Sequence, residues 1–115
     1  MNQILENLYL TSFDTCKNYE LLKSHNIQLI INCAKECNHT NLPTDIKYVK
    51  VDLIDDPHID ISTHFDTLAD IINDYTEQNK NVLVHCKYGK SRSASIILAY
   101  LIKYHKMTFE DSLLF

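Results

Sequence analysis

The stretch Val82-Leu83-Val84-His85-Cys86-Lys87-Tyr88-Gly89-Lys90-Ser91-Arg92-Ser93 decides how this chain is read. It starts as a β-branched apolar run and ends by entering a helical apolar pattern, Ala94-Ser95-Ile96-Ile97-Leu98-Ala99-Tyr100-Leu101. A buried strand, a tight loop and a helix N-terminus make a ready anion site, because loop N–H groups converge and the helix dipole adds positive potential. Arg92 closes the loop with a planar fork suited to two phosphate oxygens. Cys86 sits at its base, where the same field stabilises a thiolate. Gly89 is the only glycine in the sequence, and a lone loop glycine usually marks φ > 0 or close backbone approach to a ligand. These residues predict a phosphate-ester hydrolase working through a covalent phosphocysteine.

Working outward from the loop, the chain reads as alternating strands and helices. Ile4 to Leu10 is expected to be a first strand, and Asp14 or Thr15 to cap a helix reaching Ser24 with Tyr19, Leu21 and Leu22 inward. Ile27 to Cys33 is a near-continuous apolar run, as in a strand covered on both faces. Lys35 to Asp45 is polar, carries Pro43 and is expected to be a surface loop; Ile46 to Leu53 alternates as a strand. Ile54 to Asp60 has turn chemistry and carboxylates. From Ile61 to Tyr75 the stripe Phe65, Leu68, Ala69, Ile72 and Tyr75 predicts a helix. Asn79-Lys80-Asn81 ends it, and a long helix is expected from Ser91 to His105. Met107 to Phe115 starts one more. The fold class is therefore α/β, with a mostly parallel central sheet of four to five strands flanked by helices. In such sheets ligands bind beyond the carboxyl ends of the strands, where the Cys86 loop sits.

Composition narrows the function. At 115 residues there is room for one domain, 1–115. A net charge of −4 argues against bulk nucleic-acid binding. Lys87, Lys90 and Arg92 nevertheless make a local basic patch suited to a phosphorylated substrate. No run reaches the length of a membrane span and no export signal opens the chain. The four cysteines, Cys16, Cys33, Cys37 and Cys86, are not spaced as a disulfide framework, so reduced thiols and a cytoplasmic location are expected. Cys33, Cys37 and His39 raise the question of zinc. Cys33 ends an apolar strand, however, and no second ligand pair has zinc-like spacing. No metal and no cofactor are expected.

The string His85-Cys86-(five residues)-Arg92-Ser93 resembles the active-site loop of cysteine-based protein tyrosine phosphatases, and its Ser-Arg-Ser ending is similar to the dual-specificity subfamily. A bare Cys-x5-Arg is weak evidence, since rhodanese-like and arsenate-reducing proteins carry it. The flanking His85, Gly89 and Ser93 make it specific. The likeness extends to Ile4–Ser12, to Ile30-Asn32-Ala34-Glu36 and to Tyr100-Leu101. Thr11 and Asn26 stand where many members have glycine, and a domain lacking the family's usual closing C-terminal helix is expected.

The resemblance and the chemistry together suggest roles. Cys86 would be the nucleophile. Free thiols titrate near about 8.5, and helix N-termini with nearby cations bring this to roughly 3.5–7.5. Arg92 would hold the phosphoryl oxygens as geometry changes, with the N–H groups of Lys87, Tyr88, Gly89, Lys90, Ser91 and Arg92 completing the cradle. Ser93 would hydrogen-bond the departing sulfur. His85 would support the loop, which for a core histidine is nearly the bland reading. Asp52, Asp55, Asp56 and Asp60 are candidate general acids. Taken alone, Asp55-Asp56 is a solvated turn. In the family the acid lies six residues before the apolar residue opening the next helix, and counting back from Ile61 gives Asp55, with Asp56 as the neighbouring alternative. The implied activity is metal-independent hydrolysis of phosphotyrosine and phosphoserine/threonine in proteins. Rivals are an RNA 5′-triphosphate or phosphoinositide phosphatase, whose loops tend to end Arg-Thr-Gly, and a non-catalytic phosphoprotein-binding module. The apolar ending Leu113-Leu114-Phe115 suggests a homodimer through that surface or a folded-back last turn.

Overall fold

β5 (Asn81–Cys86) is the centre of the molecule: Val82, Leu83, Val84, His85 and Cys86 are all buried. A computed structural model of the chain describes residues 1–39, 42–51, 65–87 and 91–112. Among these, β1 (Asn2–Leu5), β2 (Leu8–Ser12), β3 (Ile27–Asn32), β4 (Lys47–Lys50) and β5 form one sheet in the order β1-β2-β5-β3-β4. β2, β5, β3 and β4 run parallel, and β1 is the antiparallel edge. The expected mostly parallel α/β sheet is what the chain forms.

Strand alternation sends side chains to two covered faces. On one, Val82, Val84, Cys86, Leu29 and Ile31 pack with Leu68, Ala69 and Ile72 of α3 (Phe65–Glu77) and Ile96, Ile97, Tyr100 and Leu101 of α4 (Ser91–Tyr104). On the other, Leu83, Ile27 and Ile30 pack with Cys16 of α1 (Phe13–Cys16) and Leu22 of α2 (Tyr19–Ser24). Burial on both faces is why β3 and β5 read as continuous apolar runs. The pairing of β3 with β5 shifts register between Ile27 and Leu29, and Gln28 turns out to solvent there. Each fully buried Leu, Ile or Val contributes about 1.5–3 kcal/mol relative to exposure. A final short helix, α5 (Phe109–Ser112), follows α4.

Two expectations change. The single strand over Ile4–Leu10 is a hairpin: Asn7 adopts φ 71°, which reverses the chain between β1 and β2. An apolar pattern cannot show that turn, because an Asn needs no glycine to reach the left-handed region. The helix from Asp14 or Thr15 is two short helices. Ser12 caps α1 by accepting from Thr15 N, and Asn18 restarts the chain as the cap of α2, accepting from Leu21 N. Such side chains compete with the helical backbone, which breaks the run at Lys17–Asn18. The described residues of the Lys35–Asp45 segment are mostly exposed, as expected of a surface loop, with Cys37 buried among them.

Other boundaries move little. α3 runs on to Glu77 and closes with Asn79 at φ 58°. Lys80 N reaches Tyr75 O at 3.0 Å and Asn79 N reaches Thr76 O at 3.0 Å, the paired bonds of a Schellman ending. Asn26 does the same service before β3 at φ 53°. Tyr100 is core, 3% exposed. The part of the strand beyond Val51, the loop with Asp52, Asp55, Asp56 and Asp60, the helix start at Ile61, and the Leu113–Phe115 ending with its dimer expectation lie outside the described residues.

Candidate active site

The carboxyl ends of β2, β5 and β3 lie side by side, with Ser12 paired to Cys86 and both Thr11 and Asn32 paired to His85. This edge is where the loop after Cys86 begins. The carbonyl of Lys87 accepts from Phe13 N at 3.2 Å, tying the first loop residue to α1. The chain returns at Ser91 as the N-terminus of the 14-residue α4, so the helix dipole points at the loop. Tyr88, Gly89 and Lys90, and the side chain of Ser91, lie outside the described residues.

Cys86, Arg92 and Ser93 converge. Cys86 Sγ and Ser93 Oγ are 3.2 Å apart, both buried. Arg92 is 4% exposed, and its charge is matched by Glu36. Nη1 donates to Oε1 at 2.7 Å and Nη2 to Oε2 at 3.0 Å. This bidentate pair aims the guanidinium. Glu36 engages two of the five guanidinium N–H groups. The Arg92 hydrogen bond holds the Glu36 carboxyl down at about 2.

Glu36 is brought there by Asn32. The fully buried Asn32 amide donates from Nδ2 to Cys37 O at 2.7 Å and to Tyr48 Oη at 2.9 Å, while its Oδ1 accepts from Ala34 N at 3.0 Å. These bonds fold the segment after β3 back over the sheet edge. In the sequence, Asn32 and Glu36 surface only as part of a family likeness. Nothing local says that Glu36 meets a residue 56 positions away.

Cys33 follows β3 beside β5, its N–H donating to His85 O at 2.8 Å. Burial pushes its thiol up to about 12, with the neighbouring Cys86 adding to the rise and Arg92 opposing it. The expectation that Cys33 is core holds. None of the four cysteines is in a disulfide, and all four are buried.

His85 points to the opposite face from Cys86, as neighbours on a strand must. Its Nδ1 donates to the Cys86 carbonyl at 3.3 Å, which leaves Nε2 as an acceptor for His39 Nε2–H at 2.9 Å. Burial lowers the His85 pKa to about 4, so the ring is neutral at physiological pH. Phe13 stacks on it with ring centroids 5.7 Å apart. Thr11 is buried beside it at 7% exposure. Among the described residues, the donors that converge as metal ligands are Cys16, His39 and His85, not the Cys33, Cys37 and His39 set considered from the sequence.

The family model described as dual specificity phosphatase, catalytic domain, matches residues 8–115. Mouse dual specificity protein phosphatase 14 is 40% identical over 105 residues, 91% of this chain and 52% of that protein. Mouse dual specificity protein phosphatase 18 is 38% identical over 112 residues, 97% of this chain and 59% of that protein. The chain thus spans little more than half the length of these curated relatives. The crystal structure of DUSP15 superposes with a TM-score of 0.91 at 30% identity, covering 99% of this chain and 72% of that one.

Proposed function

The chain belongs to the dual specificity phosphatase family, and we propose that it hydrolyses phosphotyrosine and phosphoserine/threonine esters of proteins through a phosphocysteine intermediate. The observation that carries this reading is the convergence of Cys86, Ser93 and a buried, carboxylate-aimed Arg92 at a helix N-terminus.

The Cys86 thiolate attacks phosphorus in line, the P–O bond to the substrate breaks, and the phosphoryl group passes to sulfur. Arg92 follows the equatorial oxygens through the transition state, and Glu36 keeps it oriented. The loop N–H groups from Lys87 to Arg92 supply the rest of the charge stabilisation. Asp55 gives a proton to the departing oxygen and then takes one from the water that cleaves the S–P bond. Ser93 donates to the departing sulfur, consistent with the 3.2 Å contact. No step calls on a metal or cofactor.

A phosphorylated protein is the proposed substrate. The Arg92-Ser93-Ala94 ending favours it over RNA triphosphates and phosphoinositides, whose phosphatases tend to close the loop with Arg-Thr-Gly. We place the protein in a reducing, cytoplasm-like compartment, a reading supported by four buried cysteines outside any disulfide. Among the described residues, no helix is long and apolar enough to cross a membrane.

The test is a panel of phosphotyrosine and phosphothreonine peptides, a phosphoinositide and a 5′-triphosphorylated RNA, with Cys86→Ser as blank. Turnover of the peptides that vanishes in Cys86→Ser is expected, with binding retained. Turnover only of RNA or lipid would overturn the substrate class. Equal rates in wild type and Cys86→Ser would overturn covalent catalysis. Peptide binding without turnover by the wild type would make the chain a binding module.

A further inference from the structure

We propose that Cys16, His39 and His85 form a Zn²⁺ site on the face of the sheet opposite the Cys86 thiol. The three residues come from separate elements: the last turn of α1, the segment after β3, and β5. His39 Nε2 lies 2.9 Å from His85 Nε2 and 3.8 Å from Cys16 Sγ, and all three donor atoms are within 4.8 Å of one another. In a tetrahedral zinc site with Zn–N of about 2.0–2.1 Å and Zn–S of about 2.3 Å, ligand atoms stand about 3.3–3.6 Å apart. Two of the spacings already lie close to that range, and the Cys16–His85 span is the one that must shorten.

The surroundings suit a ligand set. His85 Nδ1–H is committed to the Cys86 carbonyl at 3.3 Å, so its Nε2 lone pair faces the cluster. A backbone carbonyl behind the second ring nitrogen is how ligating histidines are commonly oriented. One sulfur and two imidazole nitrogens favour zinc over magnesium or calcium, which take oxygen. Cys16 and His85 are fully buried, whereas His39 is half-buried.

Without the ion, His39 Nε2–H donates to His85, and His39 Nδ1 is buried with no hydrogen-bond partner. Zinc entry replaces that hydrogen bond with two Zn–N bonds. The His39 proton then moves from Nε2 to Nδ1, and the Cys16 thiol loses its proton to solvent as the Zn–S bond forms. The occupied site would pin α1, β5 and the segment that carries Glu36, and so would stiffen the support of Arg92 without touching substrate.

The test uses the Cys86→Ser protein, which removes the loop thiol as a competing ligand and needs no activity. Zinc is titrated against a chromophoric chelator, and Co²⁺ is added in parallel to read the thiolate-to-metal band in the near ultraviolet. One equivalent of zinc, a cobalt–thiolate band and a zinc-dependent rise in Tm are expected. His39→Gln should weaken zinc binding at least tenfold and remove the Tm response, and Cys16→Ser should remove the cobalt–thiolate band. If Cys16→Ser fails to fold, His39→Gln in the half-buried loop decides. No stoichiometric binding by Cys86→Ser, or binding unchanged in His39→Gln, would overturn the proposal.

Discussion

Replacing Glu36 by Gln removes one charge from a bidentate pair whose other member is 4% exposed. The carboxyl is held at about 2 rather than 4.5, which at roughly 1.4 kcal/mol per pH unit corresponds to about 3 kcal/mol. That figure is a ceiling, because the Glu36 side chain is 47% exposed and water screens the pair. A discounted loss of about 1–2 kcal/mol is expected, and for a domain of this size it lowers Tm by about 3–10 °C. The pH dependence gives the sharper signature. Glu36 titrates lower when folded, so its contribution is complete above the unfolded pKa near 4.5 and fades as pH falls through about 2. Denaturant melts of wild type and Glu36→Gln from pH 7 to pH 2 should therefore run apart by a constant amount above about pH 5 and converge below it. Because Glu36 is a positioning residue for Arg92, kcat/KM for an aryl phosphate should also fall, by up to about 10²-fold for a displaced phosphate fork. A stability difference that stays constant to pH 2, or one indistinguishable from zero at pH 7, would refute the reasoning.

Ser93→Ala should slow hydrolysis of the phosphocysteine by about 10²-fold while leaving its formation fast; rapid-quench kinetics should show a burst, and a slowed first phase would count against the assigned role. Asp55→Ala should lose about 10²–10⁴-fold in rate for poor leaving groups and much less for good ones. The same dependence in Asp56→Ala, with Asp55→Ala unaffected, would reassign the acid. Leu83→Ala opens a cavity between β5 and the α1–α2 layer and should cost about 2–5 kcal/mol in guanidinium denaturation. A loss below 1 kcal/mol would mean that this face is not packed as described.

The sequence alone determined what local chemistry and short-range periodicity encode. The run Val82–Cys86, the loop after it and the apolar pattern from Ala94 state a strand, an anion cradle and a helix within one contiguous stretch, so order along the chain is enough to read them. The doubly covered sheet was legible for the same reason, since the near-continuous apolar runs at Ile27 and Val82 need two faces to bury them. The turn at Asn7 was not legible. Asn7 takes positive φ without the glycine that would announce it, which is why a hairpin was read as one strand, whereas Asn79 was read as the end of its helix. Pairings between distant residues were decided only by the tertiary structure. Glu36 meets Arg92, and His39 meets His85 and Cys16, because Asn32 folds the segment after β3 over the sheet edge. Such contacts depend on which strand lies beside which, and the order β2-β5-β3 arises from packing two apolar faces at once rather than from any residue's own preference.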